Sequence, residues 1–280
     1  MKFTIIGSGG CVALPKPLCM CAVCIEAREK GKPYSRFGCS LFLEDLNLLV
    51  DTPEDVVHAL NFANVMQVDT VLFSHMDPDH TLGMRVFEHM RINWFGISEG
   101  QECDNPINVF AMEHVMSDIN SIRSIRGGYL DYYESVRNLI KRNVVKNTLN
   151  LGNIKITFIK ADSATVFVFE QGESKVIHAP CDIKPFPADD IFNNADVLVI
   201  GSTFVGEILK DGYILKEGNP IREELFSMNE IESLKNQYNI NKVIITHIEE
   251  DWGKSYDDYV ELQNHYNEIY FAYDGMAFEL

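Results

Sequence analysis

The sequence predicts a layered α/β sandwich. Short apolar runs of strand character alternate with helical stretches from end to end, and both halves contain closely spaced strand pairs that read as hairpins. Hairpins in both halves favour packed sheets over one parallel sheet, whose strands need long crossovers. In addition, several strands end on histidine or aspartate, and in α/β architectures ligand sites gather at strand ends.

The elements follow in order. Residues 3–6 are a strand, and Gly7-Ser8-Gly9-Gly10 follows it. Val12 stands where a dinucleotide fingerprint would carry its third glycine, so the run predicts a tight turn. Residues 40–43 and 47–50 form a hairpin around Glu44-Asp45-Leu46. Thr52-Pro53-Glu54-Asp55 has the form of a helix start, a hydroxyl cap followed by proline and acids, and the helix runs to about Val65. It turns Val56, Val57, Leu60 and Val65 inward, and His58 on it reads as structural. Residues 70–74 are a strand, and a helix from about Pro78 carries Leu82, Val86, Phe87 and Met90 inward. The stretch 97–150 is longer than a simple connection and reads as a helical insertion, with a strand at 107–110 and helices near 113–124 and 129–143. Strands at 154–159, 165–169, 174–178 and 197–200 resume the pattern. Ser227 and Glu230 form a capping box for a helix at 229–238, and residues 242–246 are a strand ending at His247. Ser255 and Asp258 cap the last helix, and strands around Asp274-Gly275 close the chain. One domain spans residues 1–280.

Composition narrows the function. With 24 basic against 41 acidic residues the net charge is −17, which repels a polyanion, so nucleic acid is not an expected partner. No apolar run approaches the roughly 18 residues of a membrane span, and no export signal is read at the start, so the expectation is a cytoplasmic protein without a membrane partner. A homodimer is the expected association, being the commonest closed assembly.

Seven cysteines, an odd number, argue against a disulfide framework. Cys11, Cys39, Cys103 and Cys181 are scattered and read as small buried apolar residues. Cys19, Cys21 and Cys24 are different: a C-x-C-x-x-C cluster on a proline-flanked loop can bring three thiolates onto one zinc or iron–sulfur centre, with a further ligand from elsewhere.

His75-Met76-Asp77-Pro78-Asp79-His80 is the densest constellation, with two imidazoles and two carboxylates across a strand end and a helix start. Asp77 and Asp79 also suit helix capping, but capping does not account for the histidines. Together with Asp51, Asp182 and His247 at other strand ends, this is the pattern of a metal site.

These residues resemble the successive motifs of the metallo-β-lactamase fold, over nearly the whole chain. The resemblance implies a four-layer αβ/βα sandwich with a dinuclear metal centre at one edge. Gly7-x-Gly9-Gly10 and the cysteine cluster look like the branch holding the cyclic-phosphate phosphodiesterase of phosphonate breakdown and the B protein of pyrroloquinoline quinone biosynthesis. There the cysteines bind a structural zinc, here in a loop at about 11–30. By this resemblance His75, Asp79, His80 and His247 bind the active-site metals, Asp182 bridges them, and Asp51 supports the site by hydrogen bonds. Asp77 stands where most members have a second histidine. The third histidine is missing, and Asp162 is the nearest candidate, ahead of His178. Glu250 stands where the phosphodiesterase has the histidine that completes the cysteine zinc site.

Exchanging imidazoles for carboxylates hardens the site and favours manganese, iron or magnesium over zinc. The expected activity is hydrolysis of a small phosphodiester or cyclic phosphate by a hydroxide that two divalent ions (manganese, iron or zinc) generate, with Asp79 and Asp182 as catalytic residues. Iron-dependent oxygen chemistry and a non-catalytic scaffold retaining only the structural zinc are the alternatives. His178 and His114 are the candidates for a proton donor. Pocket walls are expected from 97–150 and 203–221, the former carrying Arg123, Arg126, Tyr129, Tyr132 and Tyr133.

Overall fold

The structure, a computed structural model, describes residues 1–125 and 127–280. Its strands are β1 (Lys2–Gly7), β2 (Ser40–Leu43), β3 (Leu48–Val50), β4 (Thr70–Leu72), β5 (Ile107–Met112), β6 (Arg123–Ser124), β7 (Gly127–Gly128) and β8 (Ile140–Val145) in the first half. The second half holds β9 (Thr148–Leu151), β10 (Ile154–Ala161), β11 (Ala164–Gln171), β12 (Ser174–Ala179), β13 (Val197–Ile200), β14 (Lys242–Ile245), β15 (Ile269–Phe271) and β16 (Met276–Glu279).

These strands build two seven-stranded sheets, ordered β16-β1-β2-β3-β4-β5-β8 and β15-β14-β13-β12-β11-β10-β9, with β6 and β7 forming a small separate ribbon. In each sheet an antiparallel part continues into a parallel part; the antiparallel strands of the second sheet are successive hairpins, whereas in the first only β2–β3 is one and β1 pairs with the distant β16. Successive side chains of a strand point to opposite faces, and here both faces are buried, which is why the strands are continuous apolar runs. Leu41 and Leu43 of β2 enter the core between the sheets, while Phe42 faces the helices outside the first sheet. Val197 and Val199 of β13 likewise face the inter-sheet core, and Leu198 and Ile200 face the helices outside the second sheet. The result is a four-layer αβ/βα sandwich.

Several elements differ from the sequence expectation. The helix expected from Thr52 spans only Val56–Phe62, because Thr52 is engaged elsewhere: its N–H donates to His80 O at 2.8 Å, and its own carbonyl accepts from Gly83 N–H at 2.8 Å. Asp55 makes no cap and instead accepts from Gly38 N–H. Leu82 is exposed rather than buried, whereas Val86 and Phe87 do face the core. His58 sits on the exposed face of its helix. Within 97–150 the segment expected as a helix at 129–143 is helical only to Val136 and then becomes β8, which pairs with β5 at the end of the first sheet. Asp274-Gly275 does not close a hairpin: β15 pairs with β14 in one sheet and β16 with β1 in the other. The Asp274 carboxylate is buried and accepts from Ser8 N–H, Ser8 Oγ and Phe37 N–H, which anchors this crossing between sheets.

Candidate metal centre

Three polar residues leave their strands through a left-handed backbone: Asp51 (φ 63°) after β3, Asp182 (φ 52°) beyond β12 and His247 (φ 53°) beyond β14. Such conformations are uncommon for residues other than glycine, and their concentration at a group of strand ends is typical of functional sites. The loop after β13 packs against two of these ends because residue 201 is glycine. A Cβ there would lie 1.4 Å from Pro180 O and 2.9 Å from His247 Cβ.

A second layer of hydrogen bonds orients the imidazoles. Asp51, 1% exposed, accepts from Ser74 N–H (2.8 Å), Ser74 Oγ (2.6 Å) and His80 Nδ1–H (2.9 Å). Since the Ser74 hydroxyl proton goes to Asp51, its oxygen accepts from His75 Nδ1–H at 2.8 Å. His247 Nδ1 is directed at Glu249 Oε1, 3.2 Å away. All three rings therefore turn Nε2 toward a common centre, the tautomer and orientation that metal-ligating histidines adopt. Burial works against charge on Asp51, but His80 and its hydrogen bond outweigh it and hold the carboxyl below the usual range.

The donors fall into three overlapping groups. His80 Nε2, His247 Nε2 and Asp79 Oδ2 are mutually 3.2 to 3.3 Å apart. Cys181 Sγ lies 3.2 Å from both His75 Nε2 and His80 Nε2. The third group is His75 with Asp77 and Asp182, whose carboxylates are exposed at the mouth. Metal–nitrogen bonds of about 2.0–2.1 Å at tetrahedral angles space ligand atoms about 3.3 Å apart, so these donors fit a metal. Burial opposes charge on Cys181, His80 and His247, yet their mutual attraction prevails, holding the thiol well below and both imidazoles well above their ordinary ranges. For Asp79, too, burial is outweighed by the hydrogen bonds and charges of His247 and His80, and the carboxyl is lowered.

The placements can be stated residue by residue. His75, Asp77, Asp79, His80, Asp182 and His247 all belong to these groups. Asp77 precedes the helix Pro78–Thr81 but its side chain makes no capping hydrogen bond, which leaves the carboxylate free. Asp162 is not brought in: it is exposed at the tip of the β10–β11 hairpin and shares no cluster of donors. The two-residue hairpin turns it outward, and no imidazole or carboxylate of the centre meets it. His178 is 1% exposed in the interior of β12, stacked 6.5 Å from Phe167, with neither ring nitrogen hydrogen-bonded, so it does not reach the mouth. His114 lies on the helix Glu113–Asn120, outside the donor groups. Cys181 was expected as apolar filler and is instead a polar participant. Its signal in the sequence is its position, two residues past a strand end and next to Asp182. Cys11 is exposed and Cys103 half-buried; only Cys39 and Cys181 among the scattered cysteines are buried.

The cysteine cluster is assembled as expected, although the helix Ala22–Lys30 begins within it, with Cys21 at the cap and Cys24 in the first turn. Cys19, Cys21 and Cys24 place Sγ at 3.4, 3.1 and 3.2 Å from Glu250 Oε1. Glu250 is 1% exposed and its Oε2 has no partner among the described residues, an orphaned buried oxygen that a cation would satisfy. Lys210 Nζ approaches Glu250 Oε1 at 2.5 Å and Cys19 Sγ at 3.3 Å. Burial would raise the Glu250 carboxyl, but Lys210 and the three cysteines bring it down to about 2.

Tyr129, Tyr132 and Tyr133 line a cavity of about 650 Å³ together with Arg85 and Val136. It contains none of the donors above. Arg126 lies outside the described residues, and Arg123 is exposed.

No protein-family model matches the sequence, and no curated protein is similar to it. Solved structures are similar in fold. A diphosphatase from the PhnP family has a TM-score of 0.72 at 16% identity, covering 100% of this chain and 96% of that one. Zn(2+)-bound PqqB from Methylobacterium extorquens has a TM-score of 0.73 at 17% identity, with 100% of both chains covered. The metallo-β-lactamase fold protein YhfI from Bacillus subtilis has a TM-score of 0.62 at 14% identity, with 99% of both covered.

Proposed function

We infer from the metallo-β-lactamase fold of this chain that its chemistry belongs to the donors gathered at the strand ends. We propose that the protein is a metal-dependent hydrolase acting on a small phosphodiester or cyclic phosphate. The observation that carries this reading is the convergence of Asp79 Oδ2, His80 Nε2 and His247 Nε2 within 3.3 Å of one another, the two imidazoles held from behind by Asp51 and Glu249. Asp79, His80 and His247, with His75, Asp77 and Asp182 beside them, would hold two divalent ions; Cys19, Cys21, Cys24 and Glu250 would hold a structural zinc. Ions in the centre supply acidification of a water molecule and neutralisation of charge on phosphoryl oxygens.

The chain's own part is positional. Asp51 and Ser74 fix His80 and His75, and Glu249 fixes His247, so the imidazoles need no reorientation during turnover. Asp77 and Asp182, exposed at the mouth, can accept hydrogen bonds from a water and orient it toward a substrate entering there. A net charge of −17 supports a small substrate over a nucleic acid. The similarity in fold to a diphosphatase supports phosphorus chemistry as the reading for this chain. The second reading, iron-dependent oxygen chemistry, is supported by a thiolate standing among imidazoles and carboxylates, a donor set that iron accepts.

The test is element-resolved metal analysis of protein purified without added metal, joined to hydrolysis of bis(p-nitrophenyl) phosphate with manganese or zinc. Wild type is expected to carry two ions beyond the cysteine zinc and to hydrolyse the ester. Asp51→Ala, which removes only support, is expected to lose metal affinity or activity by about 10- to 100-fold. Iron content with oxygen consumption and no hydrolysis selects the second reading. A single zinc lost only in Cys21→Ser, with no uptake on metal addition, overturns both and leaves a scaffold.

A further inference from the structure

We infer that Cys181, not Asp182, is the donor shared between the two metal pockets, and that Asp182 instead closes the outer pocket in place of the missing third imidazole. This rests on the metal-centre reading above. The overlap of the donor groups carries it. His80 belongs with Asp79 and His247, His75 belongs with Asp77 and Asp182, and among the described residues the donor that groups with both imidazoles is Cys181 Sγ, 3.2 Å from each. Asp182 approaches the His75 side alone. The one-residue difference follows from the backbone. The strand β12 ends at Ala179, Pro180 packs against the loop at Gly201, and the left-handed turn at Asp182 carries its side chain out to the mouth while Cys181 stays buried below it.

The consequence is an unequal pair of sites. The inner pocket, Asp79, His80, His247 and the Cys181 thiolate, joins soft and borderline donors and suits zinc or iron(II). The outer pocket, His75, Asp77 and Asp182, which meets the sulfur through His75, is richer in carboxylate and suits manganese, magnesium or iron(II). The protein is thereby built to hold two different metals, with Cys181 dividing them.

Cobalt(II) alone, titrated into metal-depleted full-length protein, reads this directly, because thiolate ligation gives a sulfur-to-cobalt charge-transfer absorption in the near ultraviolet. The cysteine cluster contributes equally in every variant, confirms that each variant is folded, and is removed by difference spectra. The expected result is that Cys181→Ser loses the remaining charge-transfer band and binds the inner ion at least 10-fold more weakly. Asp182→Asn is expected to keep the band while losing one ion. A band unchanged in Cys181→Ser, with both ions lost in Asp182→Asn, makes the aspartate the bridge and overturns the inference while leaving the hydrolase reading intact. No cobalt beyond the cysteine cluster in the wild type defeats both.

Discussion

His178 shows what a single buried group does to the molecule. It is 1% exposed in β12, packed on Phe167, and burial pushes its imidazole down to about 4. The folded state therefore holds it neutral, whereas the unfolded chain protonates it at about 6.5. Because the unfolded state binds the extra proton, this contribution to stability is complete above pH 6.5 and is lost as the pH falls toward 4. Over that window the wild type should lose about 3 kcal/mol more than His178→Leu, at about 1.4 kcal/mol per unit. Denaturant unfolding of both proteins at neutral pH and at the acid end measures it, and equal losses would show that another group bears the acid sensitivity. The same strand shows how far single residues were legible. The grouping of donors was readable because His75, Asp77, Asp79 and His80 crowd one turn and Asp51 and His247 stand at strand ends. Cys181 was not readable, because a lone cysteine beside an apolar run has the same sequence appearance as core filler. Asp162 was chosen by chain position, and only the hairpin geometry reveals that it points to solvent.

At the level of elements, the local signals that involve a few neighbouring residues were legible: the capping boxes at Ser227 and Ser255 form as read, and the strands follow their apolar runs. The helix expected from Thr52 was not, because its cap residues serve a tertiary contact with the turn that carries His75 to His80. That contact depends on Gly83. A Cβ at this position would lie 1.9 Å from Pro53 O and 2.7 Å from Thr52 O, atoms of backbone that cannot swing aside. Gly83→Ala is accordingly expected to push the turn 75–83 away from Thr52 and to break the bond from Thr52 N–H to His80 O. Overpacking of this kind costs about 1–3 kcal/mol. The expected outcome is a lower thermal midpoint together with weaker metal retention at the centre, since His80 moves with its own carbonyl. A variant that loses stability while retaining metal fully would show that the turn and the centre are independent.

On the scale of the whole molecule, the cysteine cluster acts as a tether between distant parts of the chain. Cys19 and Glu250 are 231 residues apart, and Lys210 joins them from a third segment. Beyond the cluster, the far end of the N-terminal segment is fastened by Lys32 to the buried Asp274, by Tyr34 to Asp257 and by the buried Arg36 to Ser8 and Ala272 O, whereas the stretch before them has little else. Its local core comprises Leu14, Cys24 and Ala27 with Cys19, Cys21 and Val23 against them, and the helix Ala22–Lys30 has nine residues, too few to be stable alone. The two sheets, by contrast, share a large apolar core between them that contains none of these residues. Removing a metal from the cluster should therefore release one segment without unfolding the sandwich. Without a metal, burial pushes the Cys24 thiol up to about 12 and raises Cys21, so chelation leaves protonated thiols that donate to Glu250 in place of metal bonds, with Lys210 beside them. The expected outcome of chelation, or of Cys24→Ser, is rapid proteolysis and amide exchange confined to about residues 11–31, while strands of both sheets keep their protection. Lys210→Ala should shift zinc loss to lower chelator concentration, because it removes the positive charge that accompanies the anionic ligands. Protection lost uniformly across both sheets would instead make the cluster part of the global folding unit, and the tether would then hold the sandwich itself.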